Sequence, residues 1–431
     1  MWNGSKGVVS SVGFAVGFAV GMSLAASGCV LDAGTDGDDD GGGGAWDVIS
    51  LPAGQESNNV LAVHCASNTQ CVFGTSPDSS GDPGALFALR GAEVGDKLLD
   101  GASGDLMQAA SVLGDLAFIG LERTRDGVLA RLDASGAMVT ATGDLTQRAS
   151  WNVEPMGTID GAPLPLNAQT QLRDDGDGAW IFINQQGYVH SATARPSRGT
   201  AWTKIWGPTA TPPVPADFVQ RHAQDPSLCH ADVSAGGLPA PSNPNWVAPD
   251  LSVIVLPAGG LNARGSAEPG VCISTDRGRT FYNVPFDGVP DTESPGPKGV
   301  TCLDKDRCFA FNGLPFQTGT AYIRFTLNAS AGKASTWTAA TVPSGWASSN
   351  AITLQMMFFA PDGVHGWVVG NDNHRALLAR TTDGGRTWID ASASVRGASE
   401  HDLYAGFALD KDRVWLGGRF GTLLATTQAQ R

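Results

Sequence analysis

Six cysteines beyond the N-terminal region are the first residues to weigh for chemistry: Cys65, Cys71, Cys229, Cys272, Cys302 and Cys308. Two pairs share one spacing and one setting, VHCASNTQCVF around Cys65 and Cys71 and VTCLDKDRCFAF around Cys302 and Cys308. In each, two short strand-like runs flank a turn, so a disulfide would join neighbouring strands. By elimination Cys229 pairs with Cys272, one of several connectivities that six cysteines allow. Zinc is the competing use of these side chains, but no CxxC or Cys/His cluster has ligand spacing. The histidines, His64, His190, His222, His230, His365, His374 and His401, form no metal motif and read as solvated or core residues. Asp36, Asp38, Asp40, Gly41 and Asp47 fit the D-x-D-x-D-G-x5-acid spacing of a calcium loop, because alternate oxygen ligands suit a hard cation. Against calcium, Gly43 occupies the usual apolar position, no helix flanks the segment, and an Asp/Gly tract matches this spacing by chance. HExxH, G-x-S-x-G and Walker patterns are absent from the sequence, so no catalytic residues, resident metal or cofactor are expected.

The elements that could position such groups follow from composition. Hydrophobic residues make up 42% and charged residues 16% of the 431, enough apolar material for a core and too much for global disorder. Glycine numbers 56 and proline 25, which favours a turn-dense, all-β chain over long helical bundles. The net charge of −14 argues against nucleic-acid phosphates as a partner.

The N-terminus reads as an address. Lys6 precedes an apolar run, Gly7 to Ala26, that ends in Ala25-Ala26-Ser27-Gly28 before Cys29. A basic start, an apolar stretch and small residues describe an export signal. Ser27-Gly28-Cys29 resembles the lipobox of bacterial lipoproteins, with Ala26 where that family usually has leucine. The resemblance implies cleavage after residue 28 and lipidation of Cys29. Val30 after the cysteine, by the same resemblance, favours the outer membrane. An uncleaved anchor or an ordinary secretion signal is the alternative, since about 20 apolar residues can span a bilayer. Residues 29–44 then form an acidic Gly/Asp tether.

An internal repeat sets the expected fold. LDKDR occurs at Leu303–Arg307 and again at Leu409–Arg413, two periods of roughly 53 residues apart. Aromatic residues open short strand-like runs at Trp46, Trp151, Trp202, Phe281, Trp337 and Trp388, at compatible intervals. About four short runs per ~50 residues, punctuated by Gly and Asp, suggest propeller blades. Seven such units fit between residue 45 and the C-terminus. The last lacks its aromatic-led run, and AWDVISLP at the other end supplies it. The expectation is a seven-bladed β-propeller of four-stranded antiparallel blades over residues 45–431. An N-terminal strand in the last blade would close the ring and remove an open edge.

Ser274-Thr275-Asp276-Arg277-Gly278-Arg279-Thr280-Phe281 and Thr382-Asp383-Gly384-Gly385-Arg386-Thr387-Trp388 resemble the Asp-box (BNR-type) repeat, S/T-x-D-x-G-x-T-W/F. From about residue 270 onward the chain looks like the propellers of photosystem II assembly/stability factors and their bacterial relatives. In such a turn the aspartate accepts backbone N–H bonds, glycine takes positive φ, and the aromatic packs between blades. Asp276, Gly278, Thr280, Phe281, Asp383, Gly385, Thr387 and Trp388 are therefore structural. The wider group includes sialidases, whose chemistry needs an arginine cluster and a tyrosine nucleophile backed by a carboxylate. Here only Tyr188, Tyr282, Tyr322 and Tyr404 exist, and only Tyr322 has an arginine, Arg324, two residues away on a strand-like run.

The long insertion at about residues 208–270 is the sequence's best candidate for recognition, because long loops on a rigid scaffold tend to carry binding. Arg221, His222, His230, Asn243 and Trp246 are its candidate contact residues. The central channel is the other candidate. The functional expectation is a non-catalytic, lipid-anchored envelope or cell-surface protein that binds a protein or glycan. A sialidase-like glycoside hydrolase and an assembly factor for a membrane complex are the alternatives.

Overall fold

A computed structural model describes residues 46–426 with internal gaps, the longest being 208–223, 230–244 and 287–296. Cys29, Asp36, Asp38, Asp40, Arg221, His222, His230 and Asn243 lie outside the described residues. Among those described, no helix is long and apolar enough to cross a membrane.

Seven four-stranded antiparallel blades form a ring. Blade one runs Asn59–Ser67, Gln70–Ser76, Ala85–Arg90 and Glu93–Asp100 from its innermost to its outermost strand. Blade two begins at Phe118–Arg123, blade three at Gln169–Asp174, blade four at Trp246–Val247, blade five at Gly299–Cys302, blade six at Ile352–Phe359 and blade seven at Leu403–Ala408. Blade three is widened by Thr158–Ile159, which pairs in parallel with Ala201–Trp202, and by Ala162–Pro163 beyond it. Trp246, assigned to the insertion by sequence, stands in the innermost strand of blade four, paired with Val255. The aromatic markers lie at or next to the start of the fourth strands of six blades, because a large ring there reaches into the seam between blades.

The ring closes where the ends of the fold meet. Trp46, Asp47 and Val48 pair with Thr426, Ala425 and Leu424, and Ile49 N–H donates to Leu423 O at 2.8 Å. This places Asp47 in a strand. Packing follows the same symmetry, with an apolar cluster at each of the seven interfaces between neighbouring blades. The seam between blades seven and one, for example, holds Ile49, Val60, Phe73, Trp415 and Leu423. Alternation within each strand feeds the two flanking seams in turn, so a blade has two buried faces and reads as nearly continuous apolar runs.

The turns divide the wheel into two faces. Links between first and second strands and between third and fourth strands lie on one side, here called the hairpin face. Links between second and third strands, and from one blade to the next, lie on the opposite, crossover face. On the hairpin face Asp276 Oδ1 accepts from Arg279 and Thr280 N–H at 3.0 and 2.8 Å, and Asp383 Oδ1 from Arg386 and Thr387 N–H, both at 3.0 Å. Ser274 and Thr381 hydroxyls donate to these carboxylates and accept from Gly278 and Gly385 N–H. Burial pushes the Asp383 carboxyl up, but these hydrogen bonds outweigh it and hold it below its ordinary value. Phe281 and Trp388 are buried in the seams between blades three and four and blades five and six.

A variant of this turn went unread in the sequence. Thr326 and Asn328 make the same hydroxyl–side-chain contact at 2.8 Å, and Thr336 N–H returns to Asn328 Oδ1 at 3.2 Å. A 3-10 segment, Ala329–Ala334, separates the two halves of the motif and hides it from a spacing search. The LDKDR repeat is also a brace: Asp304 and Asp410 each accept from two backbone N–H groups and from the Nε of Arg307 and Arg413. The disulfides are Cys65–Cys71, Cys229–Cys272 and Cys302–Cys308.

Candidate functional site

The innermost strands carry a feature that alternation does not foresee. Five of them have a bulge near the start, between Val60 and Ala62, Phe118 and Gly120, Gln169 and Gln171, Leu354 and Met356, and Leu403 and Ala405. Each bulge inserts one extra residue, which falls out of the alternation that fills the seams. Leu61 and Ile119 pack on one another with Ala117 on the side of blades one and two. Gln355 and Tyr404 are the extra residues of blades six and seven, and both are half-buried.

Around these two a polar cluster forms on the crossover face. Lys298, just before the first strand of blade five, is 9% exposed, and its Nζ donates to Gln355 Oε1. Burial pushes this amine down to about 8, with the Asp402 charge opposing. Asp402 is itself buried; its Oδ2 accepts from the Tyr404 hydroxyl at 3.2 Å and lies 3.8 Å from His374 Nδ1. Its Oδ1 has no partner among the described residues.

Next to this cluster an aromatic side chain is held out toward solvent. Phe420 is 41% exposed and adopts φ 52°, a left-handed conformation that is an outlier for a bulky residue. The Arg419 guanidinium lies 4.4 Å from its ring centroid, and His401 meets it edge-on at 5.1 Å. Three backbone bonds lock the turn: Arg419 N–H to Asp402 O at 2.9 Å, Phe420 N–H to Asn59 Oδ1 at 3.4 Å, and Gly421 N–H to Asn58 O at 2.7 Å. The neighbouring turn of blade six, Asn373-His374, is also left-handed at both residues, as a two-residue hairpin between right-twisted strands requires. Strain retained at an exposed aromatic, in a turn the surroundings over-determine, is characteristic of recognition sites.

Sequence reasoning missed this patch because its members span residues 298 to 420 and share no spacing. The one local signal is Arg419-Phe420-Gly421, an aromatic where a turn between strands ordinarily carries a polar residue. Of the insertion candidates, only Trp246 is described, and it packs beside the core shared by blades four and five. Tyr322 is 7% exposed in that same core, with its ring edge-on to Phe286. His64 and His190 are core residues whose burial pushes both down to about 4; Phe407 and Phe182 pack on them. No group of three or more His, Cys, Asp or Glu side chains gathers to hold a metal among the described residues.

No protein-family model matches the sequence, and no curated protein is similar to it. Solved propellers are similar in shape. YCF48 from Cyanidioschyzon merolae aligns over 90% of this chain and 100% of its own, with 12% identity and a TM-score of 0.53. YCF48 bound to D1 peptide aligns over 89% of this chain and 94% of its own, with 16% identity and a TM-score of 0.51. The GH74 enzyme from Niastella koreensis aligns over 87% of this chain but 53% of its own, with 14% identity and a TM-score of 0.53. At such identities the likeness establishes the propeller fold.

Proposed function

We propose that this chain is a non-catalytic propeller scaffold, lipid-anchored at Cys29 in the outer membrane, that captures a protein partner on the crossover face of blades five, six, seven and one. Phe420 carries this reading: a half-exposed aromatic in a strained, triply anchored turn, flanked by Arg419, His401 and Tyr404. Aromatic and arginine side chains around buried polar groups are the usual composition of an interface hot spot. The lipobox-like Ser27-Gly28-Cys29 supports the anchor, and the Asp-box-like turns of blades four and six serve as braces on the opposite face. YCF48 has been solved with a D1 peptide bound, which makes a peptide partner a natural reading for this wheel too. An assembly factor for a membrane complex is the version of this role nearest to that protein.

Two measurements test it. Envelope proteins captured by the full chain are compared with those captured by Phe420→Ala. Loss of one partner by at least ~10-fold, at an unchanged melting temperature, is expected for a hot-spot residue, which contributes about 2 kcal/mol or more. Identical capture by both proteins, or turnover on a panel of glycosides, overturns the binding reading. Separately, metabolic labelling with a fatty-acid analogue should mark the wild type and not Cys29→Ala.

A further inference from the structure

The hairpin face carries a concavity, remote from the patch around Phe420. Between blades two and three lies an open depression of about 370 Å³, lined among others by Arg125, Asp126, Asp174, Gly176, Trp180 and Arg195. That volume is at the lower end of the ~300–1,000 Å³ of small-ligand sites. Its walls are the turns after the first strands of blades two and three and the turn before the last strand of blade three.

The polar groups on these walls are arranged unusually. Arg125 Nη1 donates to Gly176 O at 2.9 Å, and Arg195 donates to Glu154 Oε2 and Thr140 Oγ1, each at 3.3 Å. Both guanidinium groups are thus held by atoms other than the two carboxylates of the lining. Asp126 has no hydrogen-bond or ion-pair partner among the described residues, and the donor reaching Asp174 is its own backbone N–H. Asp174 is pushed above the ordinary carboxylate range, first by burial and then by the Asp126 charge. Trp180, 6% exposed, adds an indole N–H that meets no acceptor among the described residues.

Charge selects the ligand class. The lining carries both signs, with Glu154 behind Arg195, so an anion meets Asp126 and Asp174, and a cation meets Arg125 and Arg195. A neutral ligand whose groups both donate and accept satisfies all of them, and hydroxyl groups on adjacent carbons do this. Hydrogen bonds to ionised side chains are the stronger kind, which suits a shallow site with little apolar area. We propose that this depression binds a neutral saccharide, whose neighbouring hydroxyls donate to Asp126 and Asp174 and accept from Arg125, Arg195 and the Trp180 indole.

This site stands apart from the partner-binding reading, and its test separates the two. The full chain is applied to an array of neutral and acidic oligosaccharides, and binders are then measured by calorimetry. Neutral oligosaccharides are expected to bind, at least 10-fold more weakly to Asp126→Asn and to Asp174→Asn, and equally well to Phe420→Ala. Asp126 is exposed and braces nothing, so its variant keeps the fold, which a melting curve verifies. Three results would each overturn the assignment: no neutral oligosaccharide bound, binding unchanged in both carboxamide variants, or calcium uptake that those same variants abolish.

Discussion

Removing the Ile49 side chain should destabilise the whole wheel although it lies in the first strand-forming segment of the fold, far in sequence from the residues it packs on. Ile49 is 3% exposed and sits in the seam of blades seven and one with Trp415, Phe73 and Leu423. Its neighbour Val48, on the other face of the same ribbon, is 60% exposed. Truncating a buried isoleucine to alanine costs about 2–5 kcal/mol, through lost transfer energy and the cavity left behind. At ~2.1 cal/mol/K per residue, a domain of roughly 380 residues unfolds with an entropy near 0.8 kcal/mol/K, so ~3 kcal/mol lowers the melting temperature by about 4 °C. Val48→Ala removes exposed surface only and should stay within about 0.5 kcal/mol. Calorimetric or circular-dichroism melts of both variants at one scan rate give the comparison. If Ile49→Ala melts within about 1 °C of Val48→Ala, the ribbon is not part of the cooperative unit, and closure of the ring by the N-terminal segment is wrong.

Two further outcomes follow from the turns and the core. Gly385 adopts φ +84°, and a Cβ there would lie 2.4 Å from the Phe309 ring. Gly385→Ala should therefore destabilise by more than the ~1 kcal/mol that a glycine replacement gains where the backbone suits it, readable as a lower urea midpoint at unchanged slope. His64 and His190 titrate near 4 when folded and near 6.5 when unfolded, so the unfolded chain binds more protons between those values. Stability should be fully present above about pH 6.5 and fall as the pH drops toward 4, by up to about 3 kcal/mol per histidine. His64→Gln should flatten that slope in urea titrations at pH 7, 6 and 5, and an unchanged slope would show that burial does not suppress the charge.

The repeat, the blade count and the closing ribbon were legible because each is a local statement. A four-strand unit must present turn residues and a seam aromatic at a fixed interval, and the final unit advertises its missing strand. The disulfides were legible for the same reason: Cys65 and Cys71, like Cys302 and Cys308, flank a hairpin turn and face each other across it. The hidden turn at Thr326 shows the limit, since four extra residues between Asn328 and Thr336 break a spacing pattern while leaving its hydrogen bonds intact.

Both proposed surfaces belong to the tertiary structure. Lys298, Asp402 and Phe420 come from three inter-strand links, and Asp126, Asp174 and Arg195 from two turns and a strand end of two blades. No periodicity relates residues that meet only because neighbouring blades stack side by side. The bulges that expel Gln355 and Tyr404 from the seams are equally silent in the sequence, because an extra residue on an inner strand looks like any other member of an apolar run. Local pattern determined the wheel; the stacking of its blades decided what its rims present.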